Sequence, residues 1–264
     1  MKLNYRKLNK KETEKTIIQI LEVLLDDSLP FSGKHRKEQW QSGWFENLVE
    51  GNVNPHYFGK YKINRRGGVF VEALSKNYER DMLYKILDLY FKKYLTKVKY
   101  IYEFGCGTGH NMLRVKKINP KAILCGLDWV SSSQEIVERL NLRSFQFDFF
   151  HPDYRLKLVP PAGIYTVAAL EQTGTNYKKF IRYLLKNKPA ICLHIEPIEE
   201  LLDPNNLMDY LSIKYFHKRK YLRGFLTYLR ELEKEGKIKI HEAKRNHIGS
   251  LFIEGYSVIV WSPL

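Results

Sequence analysis

From about residue 98 the chain alternates short apolar runs with helix-compatible segments, and this alternation is its strongest constraint on folding. KYIYEFG (99–105), AILCGLDW (122–129), RSFQFDF (143–149), IYTVAAL (164–170) and AICLHIE (190–196) read as five strands, with helices over 108–118, 132–140 and 176–187. Such alternation gives a parallel sheet covered by helices on both faces. The end of the chain breaks the pattern. After a helical stretch at about 205–235, KIKIHEA (237–243) and SLFIEGYSVIVW (250–261) read as two strands with only a short loop between them. A connection that short forces an antiparallel pair. The expected fold class is therefore α/β, a seven-stranded, mostly parallel sheet ending in an antiparallel hairpin.

Residues 1–97 stand apart from this alternation. Ile17, Ile20, Leu21, Leu24 and Leu25 recur at helical spacing within 11–26, and Met82, Leu83, Ile86, Leu87 and Leu89 do so within 75–95. A shorter helix with Trp40, Trp44 and Phe45 is expected over 36–50. The segment 51–70, with Gly51, Pro55, Gly59, Gly67 and Gly68, reads as a loop. The organisation expected is an N-terminal helical extension or cap (1–97), then one domain (98–264) with a helical insertion at about 198–236. No internal repeat or low-complexity tract is evident.

Composition narrows the setting. The 44% hydrophobic content is enough for a full core, and the three cysteines (Cys106, Cys125, Cys192) are too few and too odd in number for a disulfide framework. With no signal-like apolar segment at the N-terminus and no run long enough to span a bilayer, a cytoplasmic location is expected. The net charge is +15. Residues 1–100 carry 20 basic and 12 acidic side chains, 101–200 carry 13 and 10, and 201–264 carry 11 and 7. The excess thus lies mostly outside the middle of the chain.

The segment Glu103-Phe104-Gly105-Cys106-Gly107-Thr108-Gly109 falls where the first strand of the alternating region turns into its first helix. Glycines there permit a sharp turn and close approach of a ligand to the exposed N–H groups of the helix start. A nicotinamide-binding turn wants its third glycine three places after the second, where this chain has His110. The pattern E-x-G-x-G-x-G instead resembles motif I of the class I S-adenosylmethionine-dependent methyltransferases, and the resemblance covers roughly residues 98–264. It implies a Rossmann-like sheet whose seventh strand is inserted beside the sixth, and S-adenosylmethionine as cofactor. Glu103, Gly105, Cys106, Gly107 and Gly109 would then meet the amino-acid part of the cofactor. Asp128 would accept hydrogen bonds from the ribose hydroxyls, with Trp129 against adenine. Asp148 would take the adenine amine, with Phe149 beside the ring. The plain alternatives are a strand-end acid for Asp128, a turn former for Asp148 and core packing for Trp129.

Methyl transfer needs mainly collinear positioning, and a base only where the acceptor must lose a proton. Ligands of open parallel sheets bind beyond the carboxyl ends of the strands. That places Glu171, His194 and Glu196 as the candidate catalytic groups, with His247 in the hairpin loop as an outlying one. The plain alternatives are a helix-start carboxylate for Glu171 and a core histidine for His194. The Asn/Asp-Pro-Pro-aromatic motif of base-methylating enzymes is absent, since Glu171-Gln172-Thr173-Gly174 follows the fourth strand. The scattered cysteines have no metal spacing, so no metal is expected.

Acceptor choice is expected outside the common core. Tyr210, Lys214, Tyr215, Phe216, His217, Lys218, Arg219, Lys220, Tyr221 and Arg223 interleave base and ring in the insertion, a pattern suited to phosphate contact and stacking or simply to a solvated helix. Trp40, Trp44, Tyr57, Phe58, Tyr61, Arg65 and Arg66 similarly suit a pocket wall or cap packing. The expected activity is methyl transfer to an oxygen or nitrogen of a small metabolite or polysaccharide precursor, with an anionic acceptor favoured by the charge. The alternatives are an RNA or protein methyltransferase, or a silent module of this fold that binds nucleic acid.

Overall fold

The computed structural model describes residues 4–264. Its first part holds β1 (Tyr5–Lys7), α1 (Lys10–Leu25), α2 (Lys37–Glu50), β2 (Ile63–Arg66), β3 (Val69–Ala73) and α3 (Tyr78–Tyr94). Helix α1 starts at a capping box, Asn9 Oδ1 accepting from Glu12 N while Glu12 accepts from Asn9 N. Then follow β4 (Tyr100–Phe104), α4 (His110–Ile118), β5 (Ile123–Asp128), α5 (Ser131–Arg139), β6 (Arg143–Gln146), β7 (Ala162–Val167), α6 (Lys178–Asn187) and β8 (Ile191–Glu196). The chain closes with α7 (Leu207–Arg219), α8 (Phe225–Lys234), β9 (Ile238–Lys244), β10 (Ile248–Gly249) and β11 (Ser257–Pro263).

Seven strands form one sheet in the order β6-β5-β4-β7-β8-β11-β9. The five from β4 to β8 run parallel, while β11 lies antiparallel between β8 and β9. The last strand is thus inserted beside the one before it, as the resemblance implied. Alternate residues of each strand feed opposite faces, so the sheet is buried twice over. Ile101, Leu124, Tyr165, Leu193 and Val258 pack under α3 and α4 with Leu87, Phe91 and Val115. Phe104, Leu127, Ile164, Cys192 and Trp261 pack under α6 and α8 with Phe180, Leu184, Phe225 and Leu229. Each such fully buried large side chain contributes about 1.5–3 kcal/mol.

The extension contains more than helices. Strands β1, β3, β2 and β10 make a second, antiparallel sheet. The expected loop over 51–70 is corrected there: β2 and β3 form a hairpin turning at Gly67 and Gly68, with φ of 59° and 78°. Positive φ at both turn residues is the geometry that matches strand twist, and glycine adopts it without a Cβ penalty. The expected strand over 250–261 is also corrected, since β11 begins only at Ser257. Upstream of it, β10 leaves the large sheet to pair with β2 in the small one. A third apolar cluster joins Ile20 of α1, Phe70 of β3, Leu211 and Tyr215 of α7, and Leu251 and Phe252. Arg245 pairs with both Asp209 and Glu254, fastening α7 to the β9–β11 connection. Three separate stretches of sequence therefore build one cap over the carboxyl end of the sheet.

Candidate functional site

The turn from β4 into α4 is held open by its own backbone. Gly105, Gly107 and Gly109 have φ of 73°, 52° and 71°. The N–H groups of Gly105 and Cys106 both donate to the carbonyl of Leu127, at 2.7 and 3.1 Å. Asp128 Oδ2 accepts from Gly107 N at 2.9 Å, and Ser133 Oγ donates to the Gly107 carbonyl at 2.5 Å. A Cβ on Gly105 would collide with that of Ala169, and one on Gly107 would lie 2.9 Å from the Trp44 ring. Side chains are excluded at both positions by a close neighbour as well as by φ.

Beyond this turn lies a cleft of about 750 Å³ including its mouth. Gly105, Cys106, Gly107, Asp128, Trp129 and Phe149 line it, along with Trp40, Trp44 and Tyr57 from the cap. Trp129 lies 5.9 Å from the Phe150 ring, and Trp40 lies 5.5 Å from Trp44. These rings make an aromatic slot beside Asp128. Burial pushes the Asp128 carboxyl up to about 6, although N–H groups of Gly107, Val130 and Trp129 oppose the rise.

Glu103 lies outside the cleft, 1% exposed beneath the turn. Its carboxylate accepts from Asn111 Nδ2 and from the Tyr165 hydroxyl, each at 2.8 Å. Burial raises it to about 8. Gly109 caps α4 in the left-handed region rather than facing the cleft. Asp148 turns away as well: its Oδ1 accepts from Phe150 N at 2.7 Å, and its Oδ2 lies 3.1 Å from His151 Nδ1. It shapes the bend that brings Phe147, Phe149 and Phe150 to the cleft wall, as its plain alternative described.

Two candidate catalytic groups prove to be structural. His194 is fully buried in the sheet face under α8, with Nδ1 3.0 Å from Thr166 Oγ1 and its ring 5.2 Å from Phe225. Burial pushes it down to about 3, so it stays neutral. Glu196, also fully buried, accepts from the N–H groups of Ala169, Leu170 and Glu171 at 3.1–3.2 Å. That grip forms the tight turn after β7, in which Ala168 takes φ 47° and Ala168 and Ala169 line the cleft. Glu171 sits on the 3-10 turn Leu170–Thr173, 7% exposed. Gln172 Nε2 donates to its Oε1 at 2.9 Å, while its Oε2 is buried without a partner. Burial first, then the like charge of Glu196, raises it to about 8. His247 is on the far connection near Glu254, away from the cleft.

Several lining groups carry no sequence motif. His110 and Asn111 open α4 and face the cleft, leaving His110 Nε2 and Asn111 Oδ1 buried and unpartnered. Their signal is position alone, directly after the third glycine. Among the aromatics and bases expected to wall a pocket, Phe58 packs on His110, Tyr61 on Phe252, and Arg65 is buried against the carbonyls of Leu251 and Met208. Arg66 lies over Tyr5. In the insertion, Lys214 lies over Tyr210, Lys218 pairs with Asp27 and Lys220 lies over Phe31. Much of the basic-aromatic pattern is therefore spent on contacts within the protein. Among the described residues, no three His, Cys, Asp or Glu side chains are arranged to hold a metal, and no helix is long and apolar enough to cross a membrane.

No protein-family model matches the chain, and no curated protein matches it either. Solved structures do. The [4+2]-cyclase SpnF is similar at TM-score 0.57 and 12% identity, over 88% of this chain and 96% of that one. The N-methyltransferase NodS from Bradyrhizobium japonicum WM9, in complex with S-adenosyl-L-homocysteine, aligns at TM-score 0.53 and 12% identity over 84% and 98%. The O-methyltransferase NcsB1 from neocarzinostatin biosynthesis, with S-adenosylmethionine and 2-hydroxy-5-methyl naphthoic acid, aligns at 0.51 and 13% over 96% and 70%. The chain has the class I S-adenosylmethionine-dependent methyltransferase fold.

Proposed function

We propose that the protein binds S-adenosylmethionine in the cleft beside Gly105–Gly107 and transfers its methyl group to an oxygen or nitrogen of a small acceptor. The observation that carries this reading is the glycine turn, curled open by Asp128 and Ser133 and facing an aromatic slot. The groups present suit the cofactor. Asn111 Oδ1 and His110 Nε2 are buried acceptors without partners, matched to an ammonium. Asp128 retains acceptor capacity for ribose hydroxyls beyond its bond to Gly107, and Trp129 and Phe150 offer apolar faces to a purine.

Bound S-adenosylmethionine supplies an activated methyl on a sulfonium, so the chemistry asks chiefly for alignment. Ala168 and Ala169 leave room beside the turn, and Gln172 and Thr173 present polar groups to the acceptor. Trp40, Trp44 and Tyr57 exclude water from above. Where the acceptor must lose a proton, Glu171 is the proposed recipient, because its raised pKa and free Oε2 suit proton exchange near neutrality.

The cap favours a small acceptor over a polymer, since it roofs the cleft with side chains from α2 and the segment after it. Incubation with methyl-labelled S-adenosylmethionine and separated pools of cell extract tests this. Label is expected in the small-molecule pool; label confined to RNA or protein would reject the small-acceptor reading.

A further inference from the structure

The cleft does not end at the 3-10 turn. Thr173 lines both it and a second depression of about 660 Å³ including its mouth, bounded by Ser32, Gly33, Phe216 and Tyr221. Close by, two guanidinium groups lack a counter-ion. Arg36 is 8% exposed; its Nε donates to Gln39 Oε1 at 2.8 Å, but its Nη1 is buried without a partner. Arg219, at the end of α7, lies over the Tyr215 and Tyr221 rings and likewise leaves its Nε buried and unpartnered. Among the described residues neither forms an ion pair with a carboxylate. They are neighbours: Arg36 is held below its ordinary range by burial first and by the like charge of Arg219 second.

Both arginines are fixed in place. Ser32 donates to the Arg219 carbonyl through its N–H at 2.8 Å and its hydroxyl at 2.9 Å, tying the start of the cap to the end of α7. Glu171, whose Oε2 is the third unpartnered buried group here, stands on the turn between the two cavities. Buried donors are costly when unpaired, and two like charges drawn together from distant segments call for an anion.

We propose that Arg36 and Arg219 form an oxyanion subsite for the methyl acceptor, which is accordingly a small molecule bearing a carboxylate or phosphate group. The aromatic walls at Trp40, Phe216 and Tyr221 fit a ring or apolar body attached to that group. This assignment deepens the methyltransferase reading and rests on it.

Calorimetric titration of benzoate and of inorganic phosphate into the full chain, with and without saturating S-adenosylhomocysteine, tests the subsite. Wild type should bind at least one of the two in the millimolar range, and the stronger one tells carboxylate from phosphate. Arg36→Gln and Arg219→Gln should each weaken that binding at least about tenfold, the loss of one charge-assisted hydrogen bond. Their affinity for S-adenosylhomocysteine should stay at the wild-type value, which also reports that both variants fold. Absence of anion binding to wild type, or unchanged binding in both variants, overturns the subsite. Failure of wild type to bind S-adenosylhomocysteine counts instead against the methyltransferase reading, and the titrations without it still decide the subsite.

Discussion

Glu103 is buried at the carboxyl end of β4, between the Asn111 amide and the Tyr165 hydroxyl. The resemblance assigned it to the cofactor directly; its position gives it a different task. By accepting from Asn111 Nδ2 it leaves Asn111 Oδ1 turned toward the cleft, so it acts on the site through its neighbour. Its protonation has a cost that varies with pH. Because its folded pKa of about 8 lies above the ordinary 4.5, the folded chain holds this proton more tightly than the unfolded one. Its stabilising contribution is complete below the unfolded value and declines as pH rises toward about 8. Glu103→Gln should remove that decline. Between pH 5 and 8, denaturant unfolding should show wild type losing stability relative to the variant, by at most about 1.4 kcal/mol per pH unit. Parallel profiles would mean that Glu103 is ionised in the folded protein.

The turn after β7 is the element on which the acceptor side of the cleft depends. Three of its N–H groups converge on Glu196 from the neighbouring strand, and Ala168 is held in a left-handed conformation with its N–H on the Ile195 carbonyl. Glu196→Ala would leave three buried donors unpaired, which should cost about 2–4 kcal/mol of stability by chemical denaturation. A loss within about 0.5 kcal/mol, the range of ordinary surface substitutions, would show that the carboxylate does not anchor the turn. This contact also marks where sequence reading stops. The parallel strands, the terminal antiparallel pair and the glycine turn are legible because each signal is local: a run of apolar residues, a short connection, three glycines. Glu196 and Ala169 are 27 residues apart, so nothing local reveals that the acid serves a turn rather than a substrate. His194 is misleading for a related reason, since its strand end faces the buried side of the sheet. The β2–β3 hairpin did carry a local signal. Gly67-Gly68 between INRR and VFVEA is a two-residue hairpin turn. The density of Gly and Pro around it makes the whole stretch resemble a loop.

At the scale of the molecule, a doubly covered sheet supplies a common platform, and a cap made from three stretches of chain individualises it. The small sheet, α1, α7 and the β9–β11 connection share the apolar cluster around Ile20 and Phe252. This is why residues distant in sequence, Trp44, Tyr57 and Arg219, surround one cleft and its extension. The charge of +15 takes on a more specific meaning in this setting. Part of it lies on the surface, part is spent on rings and acids within the cap, and Arg36 and Arg219 remain without counter-ions. The central claim, that the glycine turn and Asp128 hold S-adenosylmethionine, is tested most directly by calorimetric titration of S-adenosylhomocysteine. The account predicts saturable binding to one site, weakened by about 1–3 kcal/mol in Asp128→Ala through lost charge-assisted hydrogen bonds and abolished in a folded Gly107→Arg. No saturable binding by wild type at high micromolar ligand, or undiminished binding by Gly107→Arg, would contradict it.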